Sequence, residues 1–226
     1  MRIRAGRGRA VAGMRLTILL AAAALSFGVA ACGGDDEPSS PTRLDPVEQV
    51  DRLSGRSTAV TLDAGFVEAL QSLELTPGPL GAGSISKAGV ASFPITGGNV
   101  TYYEPGTVSP YVQGEIAHDG AGLSLEGAGK RVELTDFVVD PGASVLTGTV
   151  TVNGEVAAES APLFFLDGRT LNPLDVNEGT GTAVLEGTTV ELKAEAADLL
   201  NKTFGVTALE EGLKIGVAKI TVNTAA

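Results

Sequence analysis

Side chains able to do chemistry are few in this chain of 226 residues: one histidine (His118), one cysteine (Cys32), three tyrosines (Tyr102, Tyr103 and Tyr111) and no tryptophan. Imidazole and phenol are among the groups that hold haem iron from an axial position, provided an apolar pocket surrounds them. His118, Tyr102, Tyr103 and Tyr111 are therefore the candidates for ligand binding. Tyr102 and Tyr103 are neighbours in a strand-like stretch, so only one can face a shared pocket. The structural alternative is a strand-end histidine beside the Asp119-Gly120 turn, with the tyrosines half-buried in a sheet. Oxygen donors collect further on, where Asp167, Asn172, Asp175, Asn177 and Glu178 cluster in a stretch that also holds Gly168 and Gly179. Calcium takes such hard ligands, which makes Asp167, Asp175, Asn177 and Glu178 a weak candidate metal loop. The spacing is not that of an EF-hand, and an Asp/Asn-rich turn accounts for it equally.

Other chemistries find no support. A Ser-His-Asp triad lacks its G-x-S-x-G elbow, and zinc lacks three or four suitable ligands. The glycine clusters match neither phosphate-cradling pattern and read as turns. Paired carboxylates for glycoside hydrolysis have no local signature, so a carboxylate-based hydrolase stands only as the enzymatic alternative to a protein that binds without catalysing.

The lone cysteine closes a recognisable segment. Five arginines (Arg2, Arg4, Arg7, Arg9 and Arg15) precede the apolar run LTILLAAAALSFGVAA, whose end forms Val29-Ala30-Ala31-Cys32 with the cysteine. A basic start, a short apolar stretch and small residues at a cut are the parts of a secretory signal. The tetrapeptide resembles the bacterial lipobox, in which the cysteine is acylated and becomes the first residue. The run from Leu16 to Ala31 falls short of the ~20 residues needed to cross a membrane as a helix and is followed by Gly-Gly-Asp-Asp rather than a basic flank. The expected layout is a lipoprotein signal peptide over 1–31, acylated Cys32 and a flexible tether over 32–56, and one β-rich domain over 57–226. The partner this implies is the cytoplasmic membrane, reached through the lipid; a second partner is an unknown small ligand or envelope protein.

Charge removes one class of partner. Losing the five arginines takes the basic count from 16 to 11 against 27 acidic residues, a formal charge of about −16. Phosphate backbones are repelled by such a surface, so nucleic acid is not expected to bind.

The elements that must position the candidates are mostly strands. Residues 33–56 are rich in Pro, Ser, Gly and charge and support no core; a short helix from Pro46 to Leu53, capped by Asp45, is the one element expected there. TAVTL (58–62) alternates as a strand, and Phe66, Val67, Leu70 and Leu73 then fall at helical spacing. TPGPLGAG (76–83) reads as a loop. Strands follow over 84–93 and 99–103, joined by a hairpin connection at 94–98, then over 111–118, 121–126, 130–139, 145–153 and 155–166. Asn153-Gly154 is the strongest hairpin signal. In the strand 130–139, Val132, Leu134 and Asp136 share a face. Residues 166–181 form an irregular crossing. An internal echo brackets the whole: Val60-Thr-Leu-Asp-Ala64 with its helix is matched by Val190-Glu-Leu-Lys-Ala194, a second helix with Ala194, Ala197, Leu200 and Phe204 inward, and a closing strand over 213–222. The fold class is mainly β, an antiparallel sandwich or irregular barrel with two short helices.

In order, Phe93-Pro-Ile-Thr-Gly-Gly-Asn-Val100, Gly114-Glu-Ile-Ala-His-Asp-Gly120, Gly122-Leu-Ser-Leu125, Val132-Glu-Leu-Thr-Asp-Phe137, Leu146-Thr-Gly-Thr-Val150 and the 190–222 unit resemble the HtaA-type domain, a β-rich module of bacterial surface proteins. Some of these bind haem, so the resemblance implies haem as the cofactor to test and places His118 in the family's histidine-containing stretch. The chain departs from the haem-binding members in its poverty of aromatic residues. The functional expectation is a non-enzymatic, membrane-tethered binding module.

Overall fold

The structure is a computed structural model that describes residues 44–224. The signal segment, Cys32 and the tether up to residue 43 lie outside the described residues. Among the described residues, no helix is long and apolar enough to cross a membrane.

The sheet begins earlier than expected. In place of a helix from Pro46, β1 (Glu48–Val50) pairs antiparallel with Val100–Tyr102, and Val50 and Leu53 are buried. A helix of eight residues gains too little to offset its nucleation, whereas a strand finds a ready neighbour. β2 (Arg56–Leu62) leads into α1 (Ala64–Ser72), whose first turn is capped by the Asp63 carboxylate accepting from the Gly65 N–H at 2.9 Å. TPGPLG, expected as loop, is β3 (Thr76–Gly81), paired only with residues 121–126. Pro77 and Pro79 are two apart, so their missing N–H groups fall on the same, unpaired side, which is where proline is tolerated in a strand.

The 84–93 stretch divides into β4 (Ser84–Ile85) and β5 (Val90–Pro94), and β6 covers Gly97–Tyr102. The connection at 94–98 is not a hairpin. β5 pairs with β2 and β4, while β6 pairs with β1 and with β7 (Val112–Gly127), so the chain passes from one end of the sheet to the other. The two strands expected over 111–126 are one long bent strand, with a register shift after His118 and Gly120 at φ +69°. Opposite it, β8 (Lys130–Asp140) carries a bulge at Asp136, φ +53°. The extra residue switches the buried phase from Val132 and Leu134 to Phe137 and Val139, so Asp136 leaves the inward face assigned to it and accepts from the Gly120 N–H at 2.9 Å.

β9 (Val145–Val152) and β10 (Glu155–Asp167) form the expected hairpin, with Asn153 and Gly154 at φ +51° and +89°. The 166–181 crossing contains a single 3₁₀ turn at Gly168–Thr170 and β11 (Asp175–Asn177). β12 (Thr182–Leu192), α2 (Ala194–Phe204) and β13 (Lys214–Asn223) complete the chain. The inward stripe of α2 is Ala196, Ala197, Leu200 and Phe204. The internal echo becomes spatial: β2 and β12, each running into a helix, are the two neighbours of β13.

Strand order along the sheet is β1-β6-β7-β8-β9-β10-β12-β13-β2-β5-β4, and this antiparallel sheet curls into a half-barrel. The crossing residues meet both ends of the sheet at a seam: the Thr96 N–H extends the β6–β7 ladder to the Ala117 carbonyl at 2.9 Å, and the Ile95 N–H extends the β2–β5 ladder to the Arg56 carbonyl at 2.7 Å. At the crossing, Gly98 sits at φ +112°, and a Cβ there would run into the Glu115 carbonyl oxygen. The buried side chains form a main core running from Val50 and Leu53 to Val222, with a smaller cluster of Tyr102, Val112 and Leu185 beside it.

Candidate functional site

The curl encloses more space than its side chains fill. A cavity of about 400 Å³ lies inside it, walled by aliphatic and phenylalanine side chains from ten strands, including Val60, Phe93, Ile116, Phe137, Leu185 and Ala218. A second, of about 420 Å³, lies under the two helices between Phe66, Leu134, Leu163 and Leu199. Both have Leu62, Ala91, Leu123, Phe164 and Ile215 in their walls, so they adjoin back to back.

Three of the four ligand candidates line the first cavity: His118, Tyr102 and Tyr111. Tyr103 does not. Alternation along the strand turns it to the other face, and its N–H donates to the Tyr111 carbonyl at 2.8 Å. Tyr102 is buried at the end of β6, and Tyr111 precedes β7; the two rings meet edge to face with centroids 5.8 Å apart. The Tyr111 hydroxyl donates to the Gly168 carbonyl at 3.3 Å. Burial, and secondly the neighbouring Tyr102, push the Tyr111 phenol above its ordinary pKa.

His118 sits on the seam, 1% exposed. Its Nδ1–H donates to the Pro94 carbonyl of β5 at 2.9 Å, a bond that fixes the tautomer, since a carbonyl only accepts. Its Nε2 therefore accepts the hydroxyl proton of Thr58 on β2, at 3.2 Å. Phe93 and Phe137 pack beside the ring, Phe93 at a centroid distance of 6.3 Å. Burial holds the imidazole below its ordinary pKa, outweighing the Pro94 bond and the Asp119 charge, which act the other way. Both ring nitrogens are thus spent on joining β7 to β2 and β5. To reach an iron, Nε2 would have to give up Thr58.

The structure does not group the side chains of the acidic loop. Asp167 is buried at the mouth of the first cavity, where its carboxylate accepts from the Arg169 Nε at 2.9 Å and the Arg169 Nη2 at 2.8 Å. The guanidinium, helped by the Arg169 backbone N–H, holds the Asp167 pKa at about 2. Asp175, Asn177 and Glu178 are exposed, and Asn177 instead caps its own turn by accepting from the Thr180 N–H at 3.0 Å. Among the described residues no three His, Cys, Asp or Glu side chains are grouped to hold a metal. The feature that sequence reasoning missed is the Asp167–Arg169 pair at the mouth; the D-x-R spacing is its only trace, and that spacing is common at turns.

No family model matches the chain, and no curated protein matches it in sequence. Among solved structures, it is similar to the C-terminal domain of HtaA from Corynebacterium glutamicum, with a TM-score of 0.52 and 11% identity over 76% of this chain and 98% of that one. The N-terminal domain of the same protein superposes with a TM-score of 0.44 and 12% identity over 77% of this chain and 99% of that one. The likeness to the C-terminal domain is one of fold: the chain has the fold of an HtaA-type domain, a curled β-sheet with two helices.

Proposed function

We propose that the chain is an extracytoplasmic binding module, held at the outer face of the cytoplasmic membrane by lipid on Cys32, which takes a largely apolar small molecule into its curled sheet and does not transform it. The observation that carries this reading is the cavity of about 400 Å³. That size lies in the ~300–1,000 Å³ range of small-molecule sites, and apolar walls with few polar groups are their usual lining. Catalysis has little to work with: the one histidine is fixed in the seam by Thr58 and Pro94, and Asp167 is neutralised by Arg169. Titration with an apolar fluorescent dye tests the reading directly. Enhanced emission, displaced by an apolar competitor, is expected; no binding of any apolar compound would sink it. Cys32 is tested by palmitate labelling, which should vanish in Cys32→Ser.

The second reading is haem, favoured by the paired phenols of Tyr102 and Tyr111 on the wall of a largely apolar cavity and by the HtaA-type fold. When bound, haem would supply its iron as the centre to be ligated, and Tyr111 would hold it, with Tyr102 packed alongside. Since burial favours the protonated phenol, the metal's charge must drive the proton off. Hemin titration of the wild type and of Tyr111→Phe, Tyr102→Phe and His118→Gln decides it. A Soret shift lost in Tyr111→Phe supports the reading, and no shift in the wild type ends it.

A further inference from the structure

The two cavities, taken together, have the wrong shape for a compact ligand. Each is about 400 Å³, and the five residues common to their walls (Leu62, Ala91, Leu123, Phe164 and Ile215) are all apolar. These five form the waist that separates the two cavities, so a molecule occupying both must pass between their side chains, narrow there and apolar along its length. Polar groups gather at the outer end of the first cavity, where Ser109, Ser144, Glu48 and the Asp167–Arg169 pair stand beside the half-exposed Phe165. The outer end of the second carries Glu159 and Glu195.

We propose that the ligand is the single long acyl chain of a lipid with an uncharged head, the tail running from the first cavity past the waist into the second, beneath α1 and α2. This rests on reading the cavity as the binding site. The head lies at the first mouth for electrostatic reasons. Arg169 spends its Nε and Nη2 on Asp167, so the pair is neutral as a unit and Glu48 leaves the rim slightly negative. An anionic head gains nothing there and meets Glu159 and Glu195 at the other end. A hydroxyl-rich neutral head finds donors and acceptors at Ser109, Ser144 and the ion pair, and a lipid source lies at hand for a protein tethered to a membrane.

The experiment uses the processed protein from residue 32 onward, with Cys32→Ser so that no lipid of its own competes. Calorimetric titration with monoacylglycerols from octanoyl to palmitoyl should show affinity rising about fourfold per added methylene, equivalent to ~0.8 kcal/mol, up to the longest chain, with the matching free fatty acids binding more weakly. Ala91→Phe, which narrows the waist, should halt the rise in affinity at shorter chains. Because Ala91 is buried and its replacement is able to disturb folding, a second variant reads position directly. The chain has no tryptophan, so Leu199→Trp places a lone fluorophore on the second cavity. A palmitoyl chain brominated at its far end should quench it, and an octanoyl chain brominated likewise should not. Affinity independent of chain length, or no quenching by the long chain, overturns the proposal while dye or hemin binding still upholds the apolar site. Failure of every apolar compound to bind removes the site itself.

Discussion

His118 is the point at which the curled sheet is stapled, and its replacement has a calculable cost. His118→Ala leaves the buried Thr58 hydroxyl and the part-buried Pro94 carbonyl without the partner each now has. Orphaning a buried polar group costs ~1–3 kcal/mol, and removing a ring packed against Phe93 and Phe137 adds to it. A total of about 3–5 kcal/mol is expected, a large part of the ~5–15 kcal/mol that holds a domain folded. His118→Gln, which retains an amide donor and acceptor, should cost less than half of that. The histidine also imposes a pH dependence. Because burial depresses its folded pKa, the unfolded chain takes up the proton first as pH falls below the ordinary ~6.5. Its contribution is therefore complete above that pH and declines below it, by at most ~1.4 kcal/mol per pH unit, until the folded state protonates too. Urea unfolding followed by circular dichroism at about pH 7.5, about 6.5 and about 5.5 measures this. Since no other histidine is present, the difference in slope between wild type and His118→Gln isolates the imidazole from the carboxylate background. Equal slopes, or a wild type that gains on the variant as pH falls, would refute the seam as described.

Three further outcomes follow from the geometry. Gly98→Ala would drive a methyl group into the Glu115 carbonyl at a positive φ, so a loss above ~2 kcal/mol is expected in the same urea assay. Gly154→Ala, at φ +89° with open space around it, meets only backbone strain and should cost about 1 kcal/mol. Asp167, held at a pKa of about 2, lends stability that is present above the ordinary carboxylate value and is lost as pH falls toward 2. Asp167→Asn should lack that step, and its unfolding midpoint should converge with the wild type's at the acid end.

Short-range chemistry made much of this fold legible. Asn153-Gly154 announced its hairpin because both positions need positive φ. The helices at 64–72 and 194–204 announced themselves by apolar spacing, and the mainly antiparallel β class followed from alternating runs between glycines. The misreadings share one cause, which is that each depended on a neighbour distant in the chain. Residues 48–50 and 76–81 look like helix and loop on their own, and become strands because β6 and β7 offer them an edge. Pro94–Gly98 has the composition of a hairpin turn and is instead the crossing between sheet ends.

The candidate site divides in the same way. The residue types alone nominated His118, Tyr102 and Tyr111 and left Tyr103 competing with its neighbour; alternation along a strand settles that such neighbours part. Only the tertiary structure brings Tyr102 and Tyr111 to one cavity wall and commits both nitrogens of His118 to the seam, whereas Asp167 is taken by Arg169, two residues on, and is not grouped with Asp175, Asn177 and Glu178. A side chain's identity states which bonds it is able to make. Which of them it makes, and whether space is left over inside a sheet for another molecule, depends on how far that sheet bends, and bulges at Asp136 and Gly120 set the bend through long-range register that no local pattern encodes.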